Sequence, residues 1–287
     1  MTTIWELDFY SRPVLDDKQK KLWEVLICES PLDVNAQPDS LFRYSQFFPN
    51  TEVNSVSLRS AVEAAIAQSA KQPDKVRFFR RQMNNMITKA CGEAGIPAYP
   101  SRRTLALNQW IEERMQNYYP GLPNYQASNN PSVALPMMPA QPLPDALMGE
   151  KWAVVTLEAS AFDEMLEWEV SFSEAFPPTM FGVSPDTPIP GLIIYSSRAV
   201  PLAAWMSGLE LANVKFKSEA PAQLVLQTGA NDAWVLANLP TPQLQAEAEG
   251  FEATKRQANQ IHFLAVQSDA NSESFAGFWL MQELNLA

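Results

Sequence analysis

Histidine is almost missing from this sequence: His262 is the only one in 287 residues. Any Ser-His-Asp or Cys-His device, and any histidine-rich metal site, would have to pass through it. It stands in a run where Ile261, Phe263 and Ala265 alternate with Leu264 and Val266, so the expectation is a structural imidazole inside a strand. Cysteine is scarce too. Cys28 and Cys91 sit among apolar neighbours and are too few for a disulfide framework or a Cys-rich zinc site, which suits a reducing compartment. Ten glycines are scattered and form neither G-x-x-x-x-G-K-[ST] nor G-x-G-x-x-G, which removes the motifs for ATP and dinucleotides. No apolar run is long enough for a bilayer span, and Met1 leads into Ile4-Trp5-Glu6-Leu7-Asp8 with no signal or transit pattern. The expectations are no cofactor, no metal, no membrane span, and a chain that stays where it is made.

What is present is apolar enough to fold, since 46% hydrophobic and 10% aromatic residues exclude wholesale disorder. The length suggests two cores. The net charge of -11 argues against a polyanion partner until it is resolved along the chain. Residues 1–120 carry 15 basic and 14 acidic side chains, residues 121–150 carry 0 and 2, and residues 151–287 carry 6 and 16. Nearly all the acidity is therefore C-terminal. Between 71 and 103 eight cations (Lys71, Lys75, Arg77, Arg80, Arg81, Lys89, Arg102, Arg103) meet only Asp74 and Glu93.

Composition breaks where charge does. Seven prolines, at 120, 123, 131, 136, 139, 142 and 144, fall in a stretch without Lys or Arg, which reads as an extended linker over 121–150. Before it, Trp5, Leu7 and Phe9 alternate with Glu6, Asp8 and Tyr10, and a turn at Asp16–Lys21 leads to a second strand at Leu22–Cys28. A third strand spans Leu41–Phe48. Leu58, Ala61, Val62, Ala65 and Ile66 then mark a helix, Lys75–Arg81 a strand, and Met83, Met86, Ile87, Ala90 and Cys91 a second helix ended by Gly95. A short segment near Ala98–Thr104 and a helix through Leu107, Trp110, Ile111, Met115 and Tyr118 complete the order β-β-β-α-β-α-β-α. After the linker the expectation is a strand from Lys151, a helix near Phe162–Val170 and a strand at Leu192–Ser196. A helix at Pro201–Leu209, strands at Val214–Lys217, Leu224–Gln227 and Trp234–Leu239, and a helix at Pro242–Ala258 follow. A hairpin of Ile261–Gln267 with Gly277–Leu284 closes the chain. The fold class is α/β of the α+β type, with two mixed-sheet domains at 1–120 and 151–287.

The order of the first domain is compatible with the ribonuclease H-like architecture, so a metal-dependent nuclease is the first enzyme to test. Asp8 and Glu63 could supply two carboxylates, but Lys75-Val-Arg-Phe-Phe-Arg-Arg81 offers only cations where a third is needed. Glu6 and Asp8 are more simply the solvated face of a half-buried strand, and no enzyme is expected. The positive signal is basic. Arg77, Phe78, Phe79, Arg80 and Arg81 combine guanidinium forks with aromatic faces on which unpaired bases could stack. Arg81, Asn85 and Lys89 follow at four-residue spacing opposite the methionine stripe, and Arg102 and Arg103 add cations at a loop. The alternative is that the phenylalanines are core and the charges merely solvate a surface.

These residues also carry a resemblance. Trp5-Glu-Leu-Asp8-Phe-Tyr-Ser-Arg-Pro13, Lys21-Leu-Trp23-Glu24, Arg77-Phe-Phe-Arg80, Pro100-Ser-Arg-Arg-Thr104, Leu143-Pro-Asp-Ala-Leu147, Pro201-Leu-Ala-Ala-Trp205, His262-Phe-Leu-Ala-Val-Gln267 and Gly277-Phe-Trp279-Leu280 occur in order. Over nearly its whole length the chain is similar to the chloroplast and cyanobacterial Tab-two/Atab-two RNA-binding proteins. The resemblance implies a single-stranded leader RNA as partner, translation of a photosystem I reaction-centre subunit, and a wider role in photosystem assembly with translation or assembly proteins. Chloroplast members of that family would begin with a transit peptide, whereas this sequence opens at the first strand, so the expected place of action is a cyanobacterial cytoplasm, with the periphery of the thylakoid as a further site. The competing readings are a protein-binding assembly scaffold and a degenerate or active nuclease.

Overall fold

A computed structural model of the protein describes residues 2–127 and 138–284. The chain divides into two compact units, one of residues 1–30, 39–134 and 285–287, the other of 31–38 and 135–284.

In the first unit β1 (Ile4–Leu15), β2 (Lys21–Glu29), β3 (Arg43–Phe48), α1 (Ser55–Gln68), β4 (Lys75–Phe78), α2 (Asn84–Glu93), β5 (Ala98–Pro100) and α3 (Leu105–Glu113) follow in the expected order. α3 runs on as a π-turn, Arg114–Tyr118. The sheet order is β3-β2-β1-β4-β5, with β1, β4 and β5 parallel and β2 antiparallel to its neighbours. The expectation of a ribonuclease H-like architecture rests on element order alone. Local chemistry sets the ends of the elements. Asp16 Oδ1 accepts from the N–H groups of Lys18 and Lys20 and Gln19 takes a φ of 61°, which turns β1 into β2. Asn54 Oδ1 accepts from Val56 and Ser57 N–H and starts α1.

The period of two along β1 decides what is buried against what. Trp5, Leu7 and Phe9 join Val25, Ile27 and Phe78 in a core covered by α1 and α2. Glu6 and Asp8 point to the other face and, contrary to expectation, are fully buried there. The reason is α3, whose Leu107 N–H reaches Glu6 across that face. It converts a strand's polar side into an interior.

The second unit contains β6 (Gln141–Pro142), β7 (Lys151–Glu158), β8 (Val170–Glu174), β9 (Pro188–Tyr195), α4 (Ala199–Ser207), β10 (Leu211–Lys217), β11 (Gln223–Thr228), β12 (Asp232–Asn238), α5 (Pro242–Gln257), β13 (Ile261–Gln267) and β14 (Phe275–Gln282). Two sheets result, β10-β11-β12-β6 and β7-β9-β13-β14-β8. One core draws Leu192, Leu264 and Trp279 from the larger sheet, Val214 and Leu226 from the smaller, Leu202 and Met206 from α4 and Phe251 from α5. Gly191 pairs with Phe263 across β9 and β13, and a Cβ there would lie 2.1 Å from the Phe263 ring.

Two local expectations fail. The helix near Phe162–Val170 is a 3₁₀ segment, Ala159–Glu167, and β8 begins at Val170. Val170 and Phe172 alternate with Ser171 and Ser173, a strand period that outweighs the helical reading. The proline-rich stretch is not linker throughout. Gln141–Pro142 pairs with Trp234–Val235 of β12, and Leu143 is buried, because its apolar side chains find a place on the second unit. The part of that expectation at 128–137 lies outside the described residues.

Candidate nucleic-acid interface

β4 and β5 run parallel and end together: Ser101 N–H donates to Phe78 C=O at 2.8 Å. The segments 79–83 and 101–104 therefore leave the sheet side by side at its carboxyl edge, the position where sheets of this kind commonly hold ligands. All the arginines expected to bind emerge from these two segments or the strand ends feeding them.

The residues expected to bind RNA, Arg77, Phe78, Phe79, Arg80, Arg81, Lys89, Arg102 and Arg103, do not form one open patch. Phe78 and Phe79 are buried at 0% and 1% exposure, and Arg77, Arg80 and Arg103 are buried as well. Phe78 shares the α1/α2 core with Val76, while Arg77 and Arg80 fold back beneath the sheet. Arg81 and Lys89 are exposed and Arg102 is half-buried. Lys89 lies 4.0 Å from Glu93 on α2. A ring that the residue pattern did not single out joins them: Tyr99 of β5, opposite Arg77 in the register, is 51% exposed.

Beneath the sheet the buried arginines meet the carboxylates of β1 and β2. Glu6 accepts from Ser30 Oγ at 2.5 Å and from Leu107 N–H at 2.7 Å. Burial pushes its carboxyl up to about 7, against the pull of Ser30, Leu107, Arg77 and Arg103. Asp8 accepts from Arg12 Nη2 at 2.8 Å and from Arg80 Nε at 2.7 Å. Glu24 accepts from Arg114 Nη2 and Tyr119 Oη, with Arg12 Nε 3.3 Å away. Burial raises the Glu24 carboxyl although Arg12, Tyr119 and Arg114 oppose it. The Arg80 guanidinium lies 3.8 Å from the Tyr10 ring centre and 4.8 Å from that of Phe79, and Arg114 lies 3.9 Å from Tyr118.

The pair proposed for a metal cage is not brought together. Both Asp8 oxygens are engaged by guanidinium groups. Glu63 is exposed on α1, which packs on the opposite face of the sheet, and pairs with Arg59 at 2.7 Å. Among the described residues no group of three His, Cys, Asp or Glu could hold a metal ion.

The tryptophans of the motif are packing anchors. Trp5 is buried and stacks on Phe42 at 5.1 Å, and Trp23 lies 5.7 Å from Phe9 and 5.5 Å from Tyr10. Trp205 meets Trp234 edge-on at 4.9 Å, and Trp279 is in the second core. His262 is buried as expected. Its Nε2 accepts from Val214 N–H at 2.8 Å, and Nδ1 faces Gln260 C=O at 3.0 Å, which places the proton on Nδ1.

Pattern reasoning missed Tyr10, Arg12, Glu24, Arg114 and Tyr119 as members of one layer. Only Asp8, Tyr10 and Arg12 carried a signal, the i, i+2, i+4 spacing that puts them on one strand face.

Residues 4–114 match the family described as "RNA-binding protein Tab2/Atab2 N terminal", and residues 130–282 the one described as "RNA-binding protein Tab2/Atab2, C-terminal domain". A relative from Zea mays, "Protein TAB2 homolog, chloroplastic", is 40% identical over 287 residues, covering 98% of this chain and 71% of its own. A relative of the same name from Arabidopsis thaliana is 40% identical over 294 residues, covering 98% and 74%. No solved structure matches. No helix among the described residues is long and apolar enough to cross a membrane.

Proposed function

Because the chain belongs to the Tab2/Atab2 RNA-binding family, we propose that it holds a single-stranded leader RNA at the carboxyl edge of the first unit's sheet and there promotes translation of a photosystem I reaction-centre subunit. One observation carries the placement: β4 and β5 end together and bring exposed Arg81, half-buried Arg102 and the Tyr99 ring to one end of the sheet. Cations supply phosphate contacts and an exposed ring supplies a stacking surface, the two requirements for unpaired RNA. Lys89 extends the charged surface along α2. Arg77, Arg80 and Arg103 hold the scaffold from inside. The acidic second unit repels a polyanion and serves as a contact surface for translation or photosystem assembly proteins. The role is binding without catalysis, a reading supported by the two guanidinium groups on Asp8. Two buried thiols suit a reducing compartment, and the cyanobacterial cytoplasm is the place we assign.

The test is leader-RNA affinity against salt. Arg81→Ala with Arg102→Ala is expected to flatten the slope of log affinity against log salt by about 1.4. A folded double variant with unchanged affinity and slope would remove the interface from this edge. The scaffold reading is favoured by the charge of the second unit and is separated by pull-down with and without ribonuclease. Partners kept after RNA is destroyed would belong to the protein surface.

A further inference from the structure

Two guanidinium groups share one carboxylate in the buried layer. Arg12 takes one oxygen of Asp8 and Arg80 the other. Glu24, the next acid, is also shared between Arg12, Arg114 and the Tyr119 hydroxyl. Among the described residues the acids paired with Arg12, Arg80 and Arg114 are Asp8 and Glu24, a surplus of one positive charge. The geometry shows where the surplus lies. Among the described residues Arg80 Nη1 and Nη2 and Arg12 Nη1 are buried and have no hydrogen-bond partner. Arg80 as a whole is 1% exposed. Buried donors without acceptors are rare in folded proteins because each has lost water and gained nothing. The two terminal nitrogens of a guanidinium form a planar fork that matches two oxygens of one phosphate.

We propose that Arg80, together with the free Nη1 of Arg12, whose Nη2 is anchored on the same carboxylate, forms a recessed oxyanion site that takes a phosphomonoester, supplied by the terminal phosphate of the bound RNA. The source rests on the RNA reading above; the site itself does not. The recess selects the chain end. An internal phosphodiester carries ribose on both sides and cannot follow its phosphate to a guanidinium this deep, whereas a terminal phosphate has one free side and two negative charges. Tyr10 is the cover. It is half-buried, shares the strand face of Asp8 and Arg12, and lies over Arg80 at 3.8 Å. Turning it outward opens the fork and frees its ring to stack on the terminal base. Arg81 follows Arg80 directly in the chain, so the next phosphates run onto the exposed edge.

The experiment uses the full chain. Thermal unfolding is compared in inorganic phosphate and in chloride at equal ionic strength, and affinity is compared for one oligoribonucleotide carrying a 5′-phosphate, a 3′-phosphate or two hydroxyl ends. Phosphate is expected to raise the unfolding midpoint, and a phosphorylated end to tighten binding at least about tenfold, the worth of a charge-assisted hydrogen bond. Arg80→Gln should abolish the phosphate effect, read as the difference between the two salts so that the variant's own stability cancels. Should that variant not fold, Tyr10→Ala uncovers the fork and should enlarge the effect. Arg59→Gln, on the opposite face of the sheet, should leave it intact. Phosphate no better than chloride, or protection indifferent to both Arg80→Gln and Tyr10→Ala, overturns the site. Equal binding of all three oligonucleotides removes the terminal phosphate as its ligand while the RNA reading stands. Arg80-dependent phosphate protection with no RNA binding keeps the oxyanion site and sinks the RNA reading.

Discussion

Glu6 is fully buried, and its surroundings set a pH dependence with a definite sign. A carboxyl raised from 4.5 to about 7 is better tolerated protonated in the fold than in the unfolded chain. Its contribution to stability is fully present below pH 4.5 and is lost as pH rises through 7. Across that window the unfolding free energy should fall, relative to Glu6→Gln, by on the order of 3 kcal/mol, measured by urea denaturation at several pH values. A flat difference between the two proteins would contradict it. Glu283 works the other way. Burial raises its carboxyl, but Lys255 and Lys215 outweigh that and hold it at about 2, so its contribution fades as pH falls below 4.5 toward 2. Phe79 is decided at the same scale: with 1% exposure it cannot stack on a base, so Phe79→Ala should cost about 3–5 kcal/mol of stability. Denaturant midpoints check this, and a loss of RNA affinity with stability intact would speak against a core role. Little of the buried layer was legible in the sequence. Asp8 meets Arg80 and Glu24 meets Arg114 across 72 and 90 residues, and no local pattern encodes such pairs.

Elements were more legible, because periodicity is local. The alternation at Trp5–Phe9 placed β1 and its inward face, and the helical stripes placed α1 and α2. The misses share a cause. At Phe162–Val170 a short apolar stretch fits either period, and the strand became definite only when β14 supplied a partner for Val170–Glu174. Pro142 concealed β6 since proline signals a break, yet an edge position tolerates it. Asn54 caps the start of α1, and that cap gives a direct test. Asn54→Ala should cost about 1 kcal/mol and Asn54→Asp much less, since aspartate keeps the acceptor for Val56 and Ser57. The parallel change Thr241→Ala removes the oxygen that accepts from Leu244 N–H and should weaken α5 by a similar amount. Thermal midpoints unmoved by either would show that tertiary packing alone fixes these ends.

At the scale of the whole molecule, charge and burial together bound how RNA can be held. Eight cations in contact with phosphate would give a salt slope near −5.6, whereas Arg81, Lys89 and Arg102 alone give about −2. We expect the smaller value from titrations between low and moderate salt; the larger would require the buried arginines to emerge. The two-part charge pattern was visible in composition, but which cations face outward was not, as exposure belongs to the folded sheet. One topological detail reaches beyond the finished molecule. β14, the last strand among the described residues, is not at an edge but between β13 and β8. Until β14 has been synthesised, β8 has no neighbour in that sheet, β13 has one open side and Trp279 is not available to the second core. The second unit therefore cannot complete its larger sheet before residues 275–282 have been made, and until then β13 presents an open apolar edge. A premature stop before residue 275 should not trim this protein but deprive it of the larger sheet's interior, leaving material found in the insoluble fraction or degraded.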